Sequence, residues 1–362
     1  MLSGQTKIAG VATFEERRFN HDLLIRDDDR EQAKQRWPRI AHLLVNTDLV
    51  AAFEGHEATA KVLKRKVQRV GSAAVLLMVG SLIGTAALLA SRHYGFDMEA
   101  LHLAVEVFAI FGLIFAVLAS RYGPWRRPWL RSRFMTEVLR QWHFRQLLDG
   151  QTVDLACRQP DQHSKHRQAE LAAKLTDLTN EVGQRMDHLA DSGFDALGRV
   201  PSPQLPHNSD ARKQLLEAYR VLRLEHQLYF AAWKLSPADK TFLGLSSLAL
   251  VGLTDLLAGA TLLFALLISV ARLLLPFDWA SVAALSLAIV GVGVRTWRDG
   301  LALGDERERY QEMHHRLQLV IARWDAASTD ERRFLAAEEV EQAAVEELRG
   351  FIRTHERAQF LL

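Results

Sequence analysis

Glu106 is the single charged residue in ALHLAVEVFAIFGLIFAVLAS (100–120), and its position singles it out for chemistry. An ionised carboxylate in such a run is costly and normally finds a partner or lines a wet path. Two readings follow. In one, Glu106 pairs with His102 one helical turn away, or with Arg272 much later in the chain. In the other it faces a water-filled lumen or a proton path. Cys157, His163 and His166 are three metal-ligating types, but structural zinc takes four ligands at tighter spacing, so no metal is expected. RDDDR (26–30) reads as a helical face neutralised by its flanking arginines rather than an acidic metal cluster. The patterns GxxxxGK[ST], GxGxxG and HExxH are absent. The expectation is a protein that is not an enzyme and carries no cofactor.

The elements that hold these residues are unevenly composed. A mean hydropathy of -0.05 and a net charge of +2 resemble a soluble protein, yet uncharged runs alternate with segments dense in Arg, Glu and Asp. One globular core does not explain that segregation. A single cysteine excludes an intrachain disulfide and fits soluble parts in a reducing compartment. The polar first 60 residues argue against a cleaved signal peptide.

Residues 70–90 carry no charge, and about 20 apolar residues cross roughly 30 Å of hydrocarbon. They read as a first spanning helix, and 100–120 as a second, joined by a short polar connector into a hairpin. A second apolar region, 241–294, is broken at LPFD (275–278) and reads as another hairpin. Its first arm is too long for the bilayer, so the embedded part is set at about 254–275, opposite 279–295, with the preceding apolar residues at the cytoplasmic interface. Asp255 then falls near the level of Arg295 and Arg298, with Arg295 its expected interfacial partner.

Basic and indole collars set the orientation, because Lys and Arg accumulate on the cytoplasmic side and Trp at the headgroups. Lys64, Arg65, Lys66 and Arg69 precede the first span. Arg121, Trp125, Arg126, Arg127 and Trp129 follow the second. Together they form an expected inner-leaflet anchor on anionic headgroups, preferred over nucleic acid as the partner of these basic stretches. Both termini are expected in the cytoplasm of a multi-pass inner-membrane protein. Gly80 with Gly84, and Ala280, Ala284 and Ala288, have the four-residue spacing that lets helices approach closely, within a hairpin or between copies.

The remaining chain reads as amphipathic helix. Leu215, Leu216, Tyr219, Leu222, Leu228 and Phe230 form one apolar stripe, and Val340, Ala344, Leu348 and Phe351 another. TKIAGVATF near the start is the one stretch with a hint of strand alternation. RVPSPQLPHNSD (199–210) is a linker. It separates halves with a similar plan, RFMTEVLR (133–140) after one hairpin and RYQEMHHR (309–316) after the other. The expected organisation is a cytoplasmic helical segment (1–65), a first hairpin with its cytoplasmic helix (66–148), a helical segment and linker (149–212), and a second hairpin with flanking helices (213–362). The fold class is all-α, two transmembrane hairpins plus a cytoplasmic helical bundle.

A membrane hairpin followed by a basic, aromatic helix, WRRPWLRSRFMTEVLRQWHFRQLL and again WRDGLALGDERERYQEMHHRLQLVIARW, resembles the SMODS and SLOG-associating two-transmembrane (SLATT) effector domains of bacteria. The closing EELRGFIRTHERAQFLL is similar to the end of such a domain. The resemblance covers about 65–148 and 220–362 and includes no catalytic residue. It implies a non-enzymatic membrane effector that forms homo-oligomers and permeabilises the inner membrane in bacterial defence, with a cytoplasmic protein or a nucleotide as trigger. The chain departs from the family in its two hairpins and in lacking a recognisable nucleotide-sensing domain. A membrane scaffold whose cytoplasmic helices recruit partners is the competing expectation.

Overall fold

A computed structural model describes residues 20–93, 99–119, 124–184, 205–241, 243–274, 279–358 and 360, and every regular element among them is helical. The possible strand at TKIAGVATF and most of the linker fall outside these residues. In chain order the helices are α1 (Asp27–Arg36), α2 (Ala41–Leu44), α3 (Thr47–His93), α4 (Glu99–Ala119), α5 (Arg126–Leu147), α6 (Gly150–Arg158) and α7 (Pro160–Gln184). Then come α8 (Ser209–Tyr219), a π-helical turn (Arg220–Glu225), α9 (His226–Lys234), α10 (Ser247–Leu274), α11 (Ala280–Gly300), α12 (Leu303–Ala326) and α13 (Asp330–Arg357).

Helix starts follow local chemistry. Orphan N–H groups at a helix start need acceptors, and Asn, Asp and Ser side chains supply them. The Leu49 N–H donates to Asn46 Oδ1 (3.0 Å) at α3, and the Gln151 N–H to Asp149 Oδ1 (3.1 Å) at α6. Asn208 Oδ1 accepts from the Asp210 and Ala211 N–H groups at α8, and Ser246 Oγ from the Ala249 N–H at α10. Pro160 opens α7, where its missing N–H costs nothing. α3 contains no proline, and its 47 residues extend about 70 Å at 1.5 Å per residue.

The chain divides into two compact units, each assembled from separated stretches. The first comprises Met1–Thr59, Arg131–Asp239 and Arg307–Arg353; the second comprises Ala60–Leu130, Lys240–Glu306 and Thr354–Leu362. The first has an aromatic centre in which Tyr219 stacks on Trp324 and meets Phe144 edge-on, with Phe53, Leu139, Phe334 and Val340 buried around it. In the second, α10 packs along α11, and α3 packs on α4 where the Ser81 hydroxyl donates to the Val105 carbonyl (3.2 Å).

Both predicted stripes form, with Leu228 and Ala344 only partly buried. Leu215, Leu216, Tyr219 and Leu222 are buried as the spacing requires, and so are Val340, Leu348 and Phe351. The π turn adds a residue to the helical repeat directly after Tyr219. Arg223, four residues beyond Tyr219 and a charged type among apolar neighbours, is buried with the stripe.

Candidate functional site

Among the described residues four helices are long and apolar enough to cross a membrane, and only 6–22% of their most apolar windows is buried. α4 exposes Leu103, Phe108, Ile110, Phe111 and Leu113; α10 exposes Leu256, Leu263, Phe264 and Leu266. Apolar surface on this scale is stable only where something other than water covers it.

The polar residues on these helices are placed differently from the expectation in several respects. Glu106 Oε1 lies 3.3 Å from His102 Nδ1, one turn away, and not on Arg272; both partners are about half exposed. Arg272 is exposed near the end of α10. Asp255 pairs with Arg298, not with Arg295, because Arg298 lies nearly one turn further along α11 and reaches back across the helix pair.

The small residues separate as well. A methyl group at Gly84 would collide with Val105 of α4, whereas nothing lies within 4 Å of one at Gly80, so only Gly84 is a packing glycine. Ala280 and Ala284 are buried and Ala288 is partly buried, as a seam on α11 requires. Of the collars, Arg65, Lys66 and Arg69 are exposed, and Trp125 and Arg127 are half-buried. Arg121 lies outside the described residues. Arg126 and Trp129 are buried, which corrects their assignment to the headgroup anchor, and Lys64 pairs with Glu306 (3.4 Å). Trp129 is covered because its ring meets the edge of His355 at 4.9 Å and lies under the Lys64 ammonium.

The first unit contains a buried ionic cluster that sequence spacing did not select. Glu341 is 0% exposed and accepts from Arg223 Nε (2.8 Å), Arg223 Nη2 (3.0 Å) and the Tyr219 hydroxyl (2.8 Å), while the Arg223 guanidinium lies over Phe144. Burial alone would weaken the Arg223 charge, but Glu341 overrides it and raises the guanidinium's pKa. Nearby, Arg140 is held between Asp22 (2.9 Å) and Glu137 (2.7 Å), and Glu137 also meets Arg133 (2.7 Å). Burial opposes the ionised form of Glu137, yet Arg133 and Arg140 hold it down at about 2. The two repeat-like arginines, Arg133 and Arg309, converge on one ring, Phe351, at 6.0 and 5.1 Å.

A second polar cluster lies where α7 meets α5. Buried Arg167 donates to the Leu43 carbonyl (2.5 Å) and to His143 Nδ1 (2.8 Å), and lies over the Trp142 ring. Among the described residues no carboxylate is within ion-pairing distance of it, and burial lowers its guanidinium to about 10. His143 is therefore the neutral acceptor, pushed well down by burial and then by Arg167. His163, also buried, falls to about 4 through burial, Arg167, His42 and His166. Cys157 donates to the Arg39 carbonyl and His166 meets Glu170, so the three metal-ligating types do not converge; no metal-holding group of His, Cys, Asp or Glu occurs among the described residues. Arg30 pairs with Asp27 and also donates to the Leu24 and Ile25 carbonyls at the start of α1. An open cleft of about 440 Å³ lies between α8 and the α12–α13 connection, rimmed by Lys213, Glu217, Arg220, Asp325, Asp330 and Arg333.

These features define an all-helical protein with four helices suited to a membrane and a separate unit with an ionic core. No family model matches the chain, and no curated protein and no solved structure matches it.

Proposed function

We propose that the chain is a non-enzymatic, multi-pass bacterial inner-membrane protein that acts as an oligomeric, pore-forming or signal-responsive effector similar to the SLATT domains. The observation that carries this reading is the set of four apolar helices with outward-facing Leu, Ile and Phe, which hydrocarbon covers at no cost and water does not. The pairs α3–α4 and α10–α11 are the two hairpins. Lys64, Arg65, Lys66, Arg69, Arg295 and Arg298 mark one end of the spans as cytoplasmic, with both termini and the ionic unit on that side.

Oligomerisation is part of the proposal, since four spans leave little room for a polar path within one chain and Glu106 lies on an open face. A signal is read by the cytoplasmic unit, and a nucleotide or a protein partner is the trigger class. Purified protein in vesicles of anionic lipid should release an entrapped dye when triggered, and vesicles that stay tight under every trigger refute the pore. The cleft near Trp324 favours a second reading, a scaffold, because a rim of three cations and three anions suits a charged protein surface. Partner recruitment that survives in a Glu106→Gln, Arg272→Gln protein, with no change in ion leakage, supports the scaffold.

A further inference from the structure

We infer that the end of α13 from Thr354, together with Phe360, is a releasable strap that locks the first span to the fourth. α3 and α11 form a close seam in the second unit. Gly293 of α11 lies against Val79, where a methyl group at the glycine would collide with the valine. One turn on, Trp297 Nε1 donates to Ser72 Oγ (2.7 Å). At the end of this seam the Phe360 ring, 3% exposed, enters a slot whose two walls are glycines. A Cβ at Gly71 would fall 2.5 Å from the ring carbons, and a Cβ at Gly300 would also overlap them. Only glycine on both helices leaves room for an aromatic ring between them.

The turn preceding this ring is tied to the same end of the spans. His355 Nε2 lies 3.2 Å from Glu306 Oε1, which also meets Lys64 Nζ (3.4 Å) of α3. The Trp129 ring closes over His355 edge-on. The last turn of α13 ends with the Ala358 N–H on the Thr354 carbonyl (3.0 Å).

Such an arrangement suits a latch more than a permanent joint. The Phe360 ring and the Lys64–Glu306–His355 cluster help to hold the strap, and the chain immediately before it, up to Arg353, belongs to the first unit. A change there reaches the strap through the backbone. With the strap seated, α3 and α11 are held as one; with it withdrawn, the slot between Gly71 and Gly300 empties and the two helices separate or slide. The strap itself stands on this geometry, and its role as the gate of a pore rests on the proposed function.

Full-length Cys157→Ser protein in anionic-lipid vesicles, spin-labelled at Val62→Cys and Gly304→Cys, tests both by electron–electron distance measurement and dye retention. Val62 is exposed, and a side chain at Gly304 meets nothing within 4 Å. The seated strap gives one narrow distance distribution. Phe360→Ala should broaden it, and Gly71→Ala or Gly300→Ala should do the same by expelling the ring, even though alanine is the better helix former. Combining Phe360→Ala with Gly71→Ala should broaden it no further than Phe360→Ala alone, because both remove the same contact. Phe360→Leu, which keeps an apolar plug, should stay narrow and carries the comparison where the alanine protein fails to fold. Broadening with a several-fold rise in dye leakage supports strap and gate together. Broadening with tight vesicles leaves the strap standing and refutes the pore. Unchanged distributions in Phe360→Ala, Gly71→Ala and Gly300→Ala proteins overturn the strap.

Discussion

Replacing Glu341 with Leu removes the carboxylate that holds Arg223 in the core. Arg223 is 2% exposed and Glu341 0%, so the guanidinium would be left charged, dehydrated and without its anion. Breaking one side of a buried pair typically costs about 3–5 kcal/mol, while replacing both sides with apolar groups of similar volume is near neutral or stabilising. Tyr219 retains a second acceptor in the Ala337 carbonyl (3.0 Å), so its loss adds little. For a unit of this size, about 2–4 °C per kcal/mol predicts a fall in Tm of roughly 6–20 °C for Glu341→Leu. Arg223→Met with Glu341→Leu should recover most of it. Near-ultraviolet circular dichroism of the detergent-solubilised chain is the assay, because Tyr219 and Trp324 stack beside the pair and report its packing. A single variant that melts within about 2 °C of the parent, or a double variant that melts as low as the single, refutes the reasoning.

Four further outcomes follow from the geometry and the charges it buries. Gly84→Ala should destabilise the detergent-solubilised protein by about 1–3 kcal/mol because its methyl overlaps Val105. Gly80→Ala meets nothing and should gain up to about 1 kcal/mol of helix propensity, so equal effects at the two sites would contradict the packing. Acid should loosen the Arg167 cluster. His163 is held at about 4 in the fold against 6.5 unfolded, so the unfolded chain takes up its proton first and stability falls as pH drops from 6.5 to 4. His163→Gln should flatten that slope in a Tm-versus-pH series. Glu137, depressed to about 2, acts lower: its contribution is whole above pH 4.5 and is lost between 4.5 and 2, a loss that Glu137→Gln should abolish. Asn208→Ala should cost about 1 kcal/mol, since its carbonyl oxygen caps two N–H groups at the start of α8; unchanged denaturant midpoints would exclude the cap as a contributor.

How much of this was legible differs between the two units. The helices of the second are written in composition. Long apolar runs with few or no charges satisfy their backbone in a bilayer as helix, and this placed the apolar part of α3, α4, and α10 with α11. Charge spacing placed Asp255 near the arginines of α11 but selected Arg295 over Arg298, because reach across a helix pair depends on rotation about each axis and not on height alone. The four-residue glycine spacing named Gly80 and Gly84 together; the phase of α3 against α4 decided that only one is used. Trp129 and Arg126 read as headgroup anchors by type and position, yet a fold that brings Lys64, Glu306 and His355 to the same place buries Trp129.

What the amino-acid order determined by itself was the local part: which stretches become helix, where Asn, Asp, Ser and Pro start them, and which faces are apolar. These depend on interactions within a turn or two of backbone. Tertiary structure alone decided the ionic core and the strap slot, whose members come from distant stretches. Arg223 and Glu341 are 118 residues apart, and no local spacing pairs them. Gly71, Gly300 and Phe360 carry no common pattern, since a glycine's function here is the absence of atoms, and an absence has meaning only once a ring from elsewhere occupies it.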